Sequence, residues 1–141
     1  MSTNTVADVM TREVTTMEAT TTLDKAAEVM RTQAIGDVVV TESDQILGLV
    51  TDRDIVVRAV AEGLDPAGTA LGMIVSRDVI TVAPEDTMHT AALLMRDRAV
   101  RRLLVLSESG NLAGILSIGD LAAEIDPESV LGAISDATPN A

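Results

Sequence analysis

The sequence contains no cysteine and no phenylalanine, tyrosine or tryptophan. Without cysteine there are no disulfides and no thiolate zinc sites, and cysteine usage gives no argument about redox compartment. Without aromatics the core must be built from Val, Ile, Leu, Met and Ala. A flat ring bound by this chain would have to lie between aliphatic groups and peptide planes, and absorbance near 280 nm is negligible. The single histidine, His89, has no histidine or cysteine with which to share a zinc ion, so a solvated helix position is expected for it. No Ser–His pair can be drawn from local sequence, and a non-enzyme is expected. Positive charge is also scarce. There are 10 Lys and Arg against 22 Asp and Glu, a net charge of −12. Such a balance repels nucleic-acid backbones and anionic membrane surfaces. Every apolar run is broken by charge, Gly, Thr or Pro, so none is long enough to span a bilayer. The opening MSTNTVADVM lacks the basic start and apolar segment of a secretory signal, and a cytoplasmic location is expected.

What is present is written twice. The chain has 141 residues, 47% of them hydrophobic, enough for one well-buried core. A shift of 65 residues lays Thr16 on Thr81 and TREVTT (Thr11 to Thr16) on SRDVIT (Ser76 to Thr81). The same shift lays Ala26, Ala27, Met30 and Arg31 on Ala91, Ala92, Met95 and Arg96. One extra residue near Gly110 makes the shift 66, and Gly48, Thr51 and Asp54 then meet Gly114, Ser117 and Asp120. Each half predicts β-α-β-β-α. Extended pieces come first, at Val14 to Met17 and Val79 to Ala83. Leu23, Ala26, Ala27 and Met30 mark one helical face, and Met88, Ala91, Ala92 and Met95 repeat its spacing. Thr21 or Thr22 is expected to cap the first helix, and Asp86 or Thr87 the second. Hairpins follow, Val38 to Thr41 with Ile46 to Val50, and Leu103 to Leu106 with Leu112 to Leu116. Closing helices are expected over roughly Asp52 to Glu62 and Ile118 to Ile125. GLDPAGT (Gly63 to Thr69) has a linker's composition. SVLGAIS (Ser129 to Ser135) could form a helical turn or two. Met10, Met17, Met30, Met73, Met88 and Met95 are expected in core packing.

The doubled motif is GLVTDRD (Gly48 to Asp54) and GILSIGD (Gly114 to Asp120). Gly permits close approach of a ligand or another strand. A hydroxyl at a strand-to-helix junction, with backbone N–H groups and the positive end of the helix dipole, suits an anion such as phosphate. The Asp one turn on accepts hydrogen bonds and suits the paired hydroxyls of a ribose. A Ser or Thr three residues before an Asp is also the ordinary capping box of a helix. Arg96 to Arg102, RDRAVRR, is the one basic cluster.

The whole pattern resembles a tandem pair of CBS domains, over about Val6 to Ala123. DVMTREVTT, AAEVMRTQAIGDVVV and GLVTDRDI carry the likeness in the first half. IVSRDVITVAPEDT, AALLMRDRAVRRLLVL and GILSIGDL carry it in the second. VTDRDIVVRAVAEGLDP (Val50 to Pro66) is similar to the small stand-alone two-CBS proteins of the actinobacterial hypoxic-response type. One departure is that Val39 and Leu104 stand where many CBS repeats have Pro.

The resemblance implies an α/β (α+β) fold of two β-α-β-β-α repeats related by a pseudo-twofold axis. The expected bounds are residues 6–62 for repeat 1, 63–70 for a linker, 71–125 for repeat 2 and 126–141 for a tail. It also implies a non-catalytic regulatory module with no required cofactor. The expected ligand is an adenine nucleotide (AMP, ADP or ATP) or S-adenosylmethionine, bound in clefts between the repeats. A homodimer is expected, with a signal passed in trans to a protein partner. In the family's pattern Thr51 and Asp54 would work with Ser76, Arg77, Val100, Arg101 and Arg102. Ser117 and Asp120 would work with Thr11, Arg12, Ile35, Gly36 and Asp37. Arg101 and Arg102 suit phosphate and Asp37 would repel it, which favours the Asp54 cleft for a phosphate. The competing expectation is a structural homodimer or protein-interaction module whose motifs are only helix caps.

Overall fold

Alternation of apolar residues and the turn residues between them give each repeat the elements its sequence predicts. The structure is a computed structural model that describes residues 4–125. A short helix α1 (Val6–Val9) leads the chain. The first repeat then runs β1 (Thr16–Glu18), α2 (Leu23–Gln33), β2 (Asp37–Glu42), β3 (Gln45–Thr51) and α3 (Asp52–Asp54). The second runs β4 (Thr81–Val82), α4 (Met88–Arg98), β5 (Arg102–Leu106), β6 (Leu112–Ser117) and α5 (Ile118–Ile125). Each repeat has one three-stranded sheet. In it the leading strand lies parallel to the middle strand, and the middle strand is antiparallel to the last. Both hairpins carry an irregularity at the same place, between Val40 and Thr41 and between Val105 and Leu106.

The chain forms two compact units, and their borders are not those of the repeats. One is Thr15–Val79; among the described residues the other is 4–14 with 80–125.

In the Thr15–Val79 unit, Leu23, Ala26 and Met30 of α2 pack with Val38, Val40, Val50, Ile55, Ala59, Leu71, Ile74 and Val75. Ala27, expected on that face, is exposed, because the buried stripe of α2 is only one residue wide at that turn. The stretch expected as a linker is packed against the start of α2. Thr69 and Pro66 carbonyls accept from the Leu23 and Asp24 N–H groups at 2.9 and 3.2 Å. These are two of the donors that a helix start cannot satisfy within itself. Thr22 is the cap residue of α2, yet its hydroxyl donates to the Asp24 carboxylate rather than accepting from the helix. That bond holds the Asp24 carboxyl below its ordinary range. Beyond Asp54 the helix widens into a π-helical stretch, Ile55–Val60. There the Ala61 N–H reaches back five residues to the Val56 carbonyl at 2.9 Å. Ile55 and Ala59 face the core while Val56, Val57 and Val60 are exposed. Met73, expected in the core, is 75% exposed in the short 3-10 turn Leu71–Met73.

In the other unit, Val6 and Met10 are buried with Val82, Ala91, Met95, Leu103, Val105, Leu116 and Leu121. Thr87 caps α4, its hydroxyl accepting from the Thr90 N–H at 3.0 Å. His89 is exposed on α4. Both long helices end on an alanine in the left-handed region, Ala34 at φ 56° and Ala99 at φ 55°. The segment Ser129 to Ser135, expected to form helical turns, lies outside the described residues.

Candidate ligand-binding site

The glycine of each motif is explained by backbone contact. A Cβ on Gly48 would stand 2.0 Å from the Ser76 carbonyl oxygen. A Cβ on Gly114 would stand 2.6 Å from the Thr11 carbonyl oxygen. Ser76 and Leu49 exchange two backbone hydrogen bonds, at 3.1 and 3.0 Å, and Thr11 and Ile115 exchange two, at 2.8 and 2.9 Å. The residues leading into each repeat therefore lie on the last strand of the other. This brings Ser76 and Arg77 into the unit of Thr51 and Asp54, and Thr11 and Arg12 into that of Ser117 and Asp120. Of the two uses for a glycine, close approach of another strand is the one observed.

The hydroxyl and the aspartate of each motif form a reciprocal capping box. The Asp54 N–H donates to Thr51 Oγ1 at 3.0 Å, and the Thr51 N–H donates to Asp54 Oδ2 at 2.8 Å. The Asp120 N–H donates to Ser117 Oγ at 3.1 Å, and the Ser117 N–H donates to Asp120 Oδ2 at 2.9 Å. All four residues are partly buried. Each cap engages one oxygen of its carboxylate and leaves the second for other work.

The two helix starts differ in charge. At α3 the Asp52 N–H donates to the Gly36 carbonyl at 2.9 Å, and the Arg53 N–H donates to Asp52 Oδ1 at 2.8 Å. With Asp54 capped, the first three N–H groups of α3 all have acceptors within the protein, one of them a carboxylate. At α5 the Ile118 N–H donates to the Arg101 carbonyl at 2.9 Å. Here Ile118 and Gly119 replace Asp52 and Arg53, so the negative side chain beside the second N–H of α3 is an aliphatic one in α5.

The remaining expected residues stay with their own repeats. Asp37 is the register partner of Thr51, and Gly36 lies beside it against Asp52. Ile35 packs on the core of the Thr15–Val79 unit. Arg102 is the register partner of Ser117, Arg101 precedes it and is exposed, and Val100 packs on the core of the other unit. The Arg12 guanidinium donates to the Ala7 carbonyl at 2.9 Å. Arg101 and Arg102 thus belong to the unit of Ser117, and Gly36 and Asp37 to that of Thr51.

Sequence reasoning missed Arg58. Its Nε stands 3.8 Å from Asp54 Oδ1, and its Nη1 donates to the Ile74 carbonyl at 3.1 Å. The signal was available, since a cation four residues past a helical carboxylate shares its face. Among the described residues, no group of three or more His, Cys, Asp and Glu could hold a metal ion. No helix among them is long and apolar enough to cross a membrane.

The CBS domain family profile matches this chain twice, over residues 6–60 and 71–127. The chain belongs to the CBS-domain family, as a protein with two CBS domains in tandem. It is 31% identical over 128 residues to Hypoxic response protein 1 of Mycobacterium tuberculosis, covering 90% of this chain and 89% of that protein. A solved structure of Hypoxic Response Protein I, with two coordinated zinc ions, superposes with a TM-score of 0.73 at 33% identity. That match covers 86% of this chain and 98% of that one. A protein with CBS domains from Burkholderia ambifaria superposes with a TM-score of 0.81 at 28% identity, covering 89% of this chain and 96% of that one. Protein MK0525 of Methanopyrus kandleri is 36% identical over 123 residues, or 86% of this chain, which spans 62% of that protein's length.

Proposed function

We propose that this chain is a cytoplasmic, non-catalytic sensor of an adenine nucleotide (AMP, ADP or ATP) or S-adenosylmethionine. It acts as a homodimer and passes its state in trans to a protein partner. The observation that carries the proposal is the doubled hydroxyl–helix–carboxylate arrangement, repeated at matching strand-to-helix junctions. In each copy the cap engages one carboxylate oxygen, and the other can accept from a ribose hydroxyl. Arg101 and Arg102 are assigned the phosphate, because guanidinium groups pair with it in bidentate fashion. The exposed Val56, Val57 and Val60 support association between copies, since apolar side chains grouped on one helix gain by burial. Zinc, present in the Mycobacterium relative's structure, would have to be held here by carboxylates and at most one histidine.

A specific observation favours a second reading, a structural dimer that binds no nucleotide. Both motifs already form complete capping boxes, and the first three N–H groups of α3 already have acceptors. Calorimetric titration with AMP, ADP, ATP and S-adenosylmethionine separates the two. The sensor reading expects saturable heat that disappears in a folded Asp54→Ala/Asp120→Ala variant and weakens strongly in Arg101→Ala/Arg102→Ala. A ligand at 100 times its dissociation constant adds about 2.7 kcal/mol of stability. That is a rise of roughly 5–10 °C in a circular-dichroism melt. Silence from all four ligands, on protein stripped of nucleotide, leaves the structural dimer.

A further inference from the structure

We infer that Arg58 is a clasp that ties the motif carboxylate of Asp54 to the backbone segment carrying the chain into its second repeat. One guanidinium faces both. Its Nε lies 3.8 Å from Asp54 Oδ1, the oxygen the capping box does not use, and its Nη1 donates at 3.1 Å to the Ile74 carbonyl. Ile74 and Val75 are buried, and Ser76 follows directly, paired with Leu49 over Gly48. Gly48, Leu49, Thr51, Asp54, Arg58, Ile74 and Ser76 thus close a ring of backbone and side-chain contacts. A planar, two-branched cation can hold a carboxylate and a carbonyl together, which a single ammonium holds less well.

The second repeat carries an independent counterpart. Four residues past Asp120 stands Glu124, whose Oε2 accepts from Asn4 Nδ2 at 2.8 Å. Asn4 belongs to the segment leading into the first repeat, which lies on β6 through Thr11. In both repeats, then, the residue four past the motif aspartate grips the leading segment of the other repeat. The chemistry is inverted. Arg58 is drawn to Asp54, whereas Glu124 carries the same charge as Asp120 and cannot neutralise it. Occupancy of Asp54 is therefore coupled to the leading segment through an ion pair, and occupancy of Asp120 is not. A ligand hydroxyl that takes Asp54 Oδ1 competes with Arg58 for that oxygen and alters the hold on Ile74. This coupling rests on the nucleotide reading; the clasp itself does not.

The test is amide hydrogen exchange by NMR on the full-length chain, free and with saturating AMP, in wild type, Arg58→Ala and Arg58→Lys. Without ligand, Arg58→Ala is expected to speed exchange about tenfold at the Ser76 and Leu49 amides, which bond to each other's carbonyls, with little change at Val39 and Val40. Arg58→Lys restores only part of the protection. Unchanged exchange at Ser76 and Leu49 overturns the clasp. Acceleration spread evenly over β1 to β3 overturns it too, because it assigns Arg58 to general stability. With AMP bound, exchange at Ser76 shifts in wild type and does not shift in Arg58→Ala; equal shifts in both refute the coupling. If AMP gives no calorimetric heat with wild type, the exchange experiment is run with whichever of ADP, ATP and S-adenosylmethionine does; if all four are silent, the nucleotide reading and the coupling fall together, while the ligand-free exchange still decides the clasp.

Discussion

Gly48 and Gly114 show how one residue can carry a fold. Each lies opposite the last regular residue of its hairpin, Val40 or Val105, and each is crossed by a foreign backbone on the face where a side chain would stand. The 2.0 Å between a Gly48 Cβ and the Ser76 oxygen is far inside van der Waals contact, and the obstruction is backbone that cannot rotate away. Gly48→Ala is expected to cost about 2–3 kcal/mol or more, as overpacking against a fixed neighbour does. Gly114→Ala should behave alike, since Thr11 and Met10 crowd that side at 2.6 and 2.8 Å. Urea unfolding followed by circular dichroism measures both. A loss below about 0.5 kcal/mol would show that the leading segment can shift aside, and the backbone contact would not be what the glycine serves.

At the scale of elements, α2 and α4 share a flaw. Both terminate on alanine at positive φ, where the left-handed conformation brings Cβ against the carbonyl. Glycine meets no such penalty and commonly ends helices this way. Glycine also loses more backbone entropy on folding, so part of the gain is returned. Ala34→Gly and Ala99→Gly are each expected to stabilise by about 0.5 kcal/mol, read as a small rise in melting temperature. A fall would mean that the alanine methyl packs on something worth more than the strain. These helices were legible from the spacing of Leu23, Ala26 and Met30 and of Met88, Ala91 and Met95. The π-helical stretch after Asp54 was not. The wider winding of a π-helix shifts positions too little to show over six residues, and IVVRAV is apolar at every position but Arg58, so it offers no polar–apolar period to read.

For the whole molecule, repeat borders and unit borders disagree because each repeat gives its leading segment to the other unit. Val6 and Met10 precede the first repeat yet lie in the core made by β4 to β6 and α4. Val6→Ala is therefore expected to lower hydrogen-exchange protection in Leu103 to Val105 and Leu116, and to leave Val38 to Val40 and Val50 nearly unchanged. Removing a fully buried Val side chain costs on the order of 2 kcal/mol. Equal loss in both groups would show that the units unfold as one. The sequence by itself determined the doubling, the order of elements, the aliphatic core and the position of both motifs. Those follow from periodicity and from chemistry between near neighbours, which a single chain displays openly. Only the tertiary structure decided that each motif glycine makes room for another strand and that the expected linker caps α2. It also decided that the Arg58 guanidinium reaches the Ile74 carbonyl, and that Glu124, at the equivalent position after Asp120, accepts from Asn4. These contacts join residues well separated along the chain, and they are fixed by how strands and helices close on one another within each unit rather than by any local pattern.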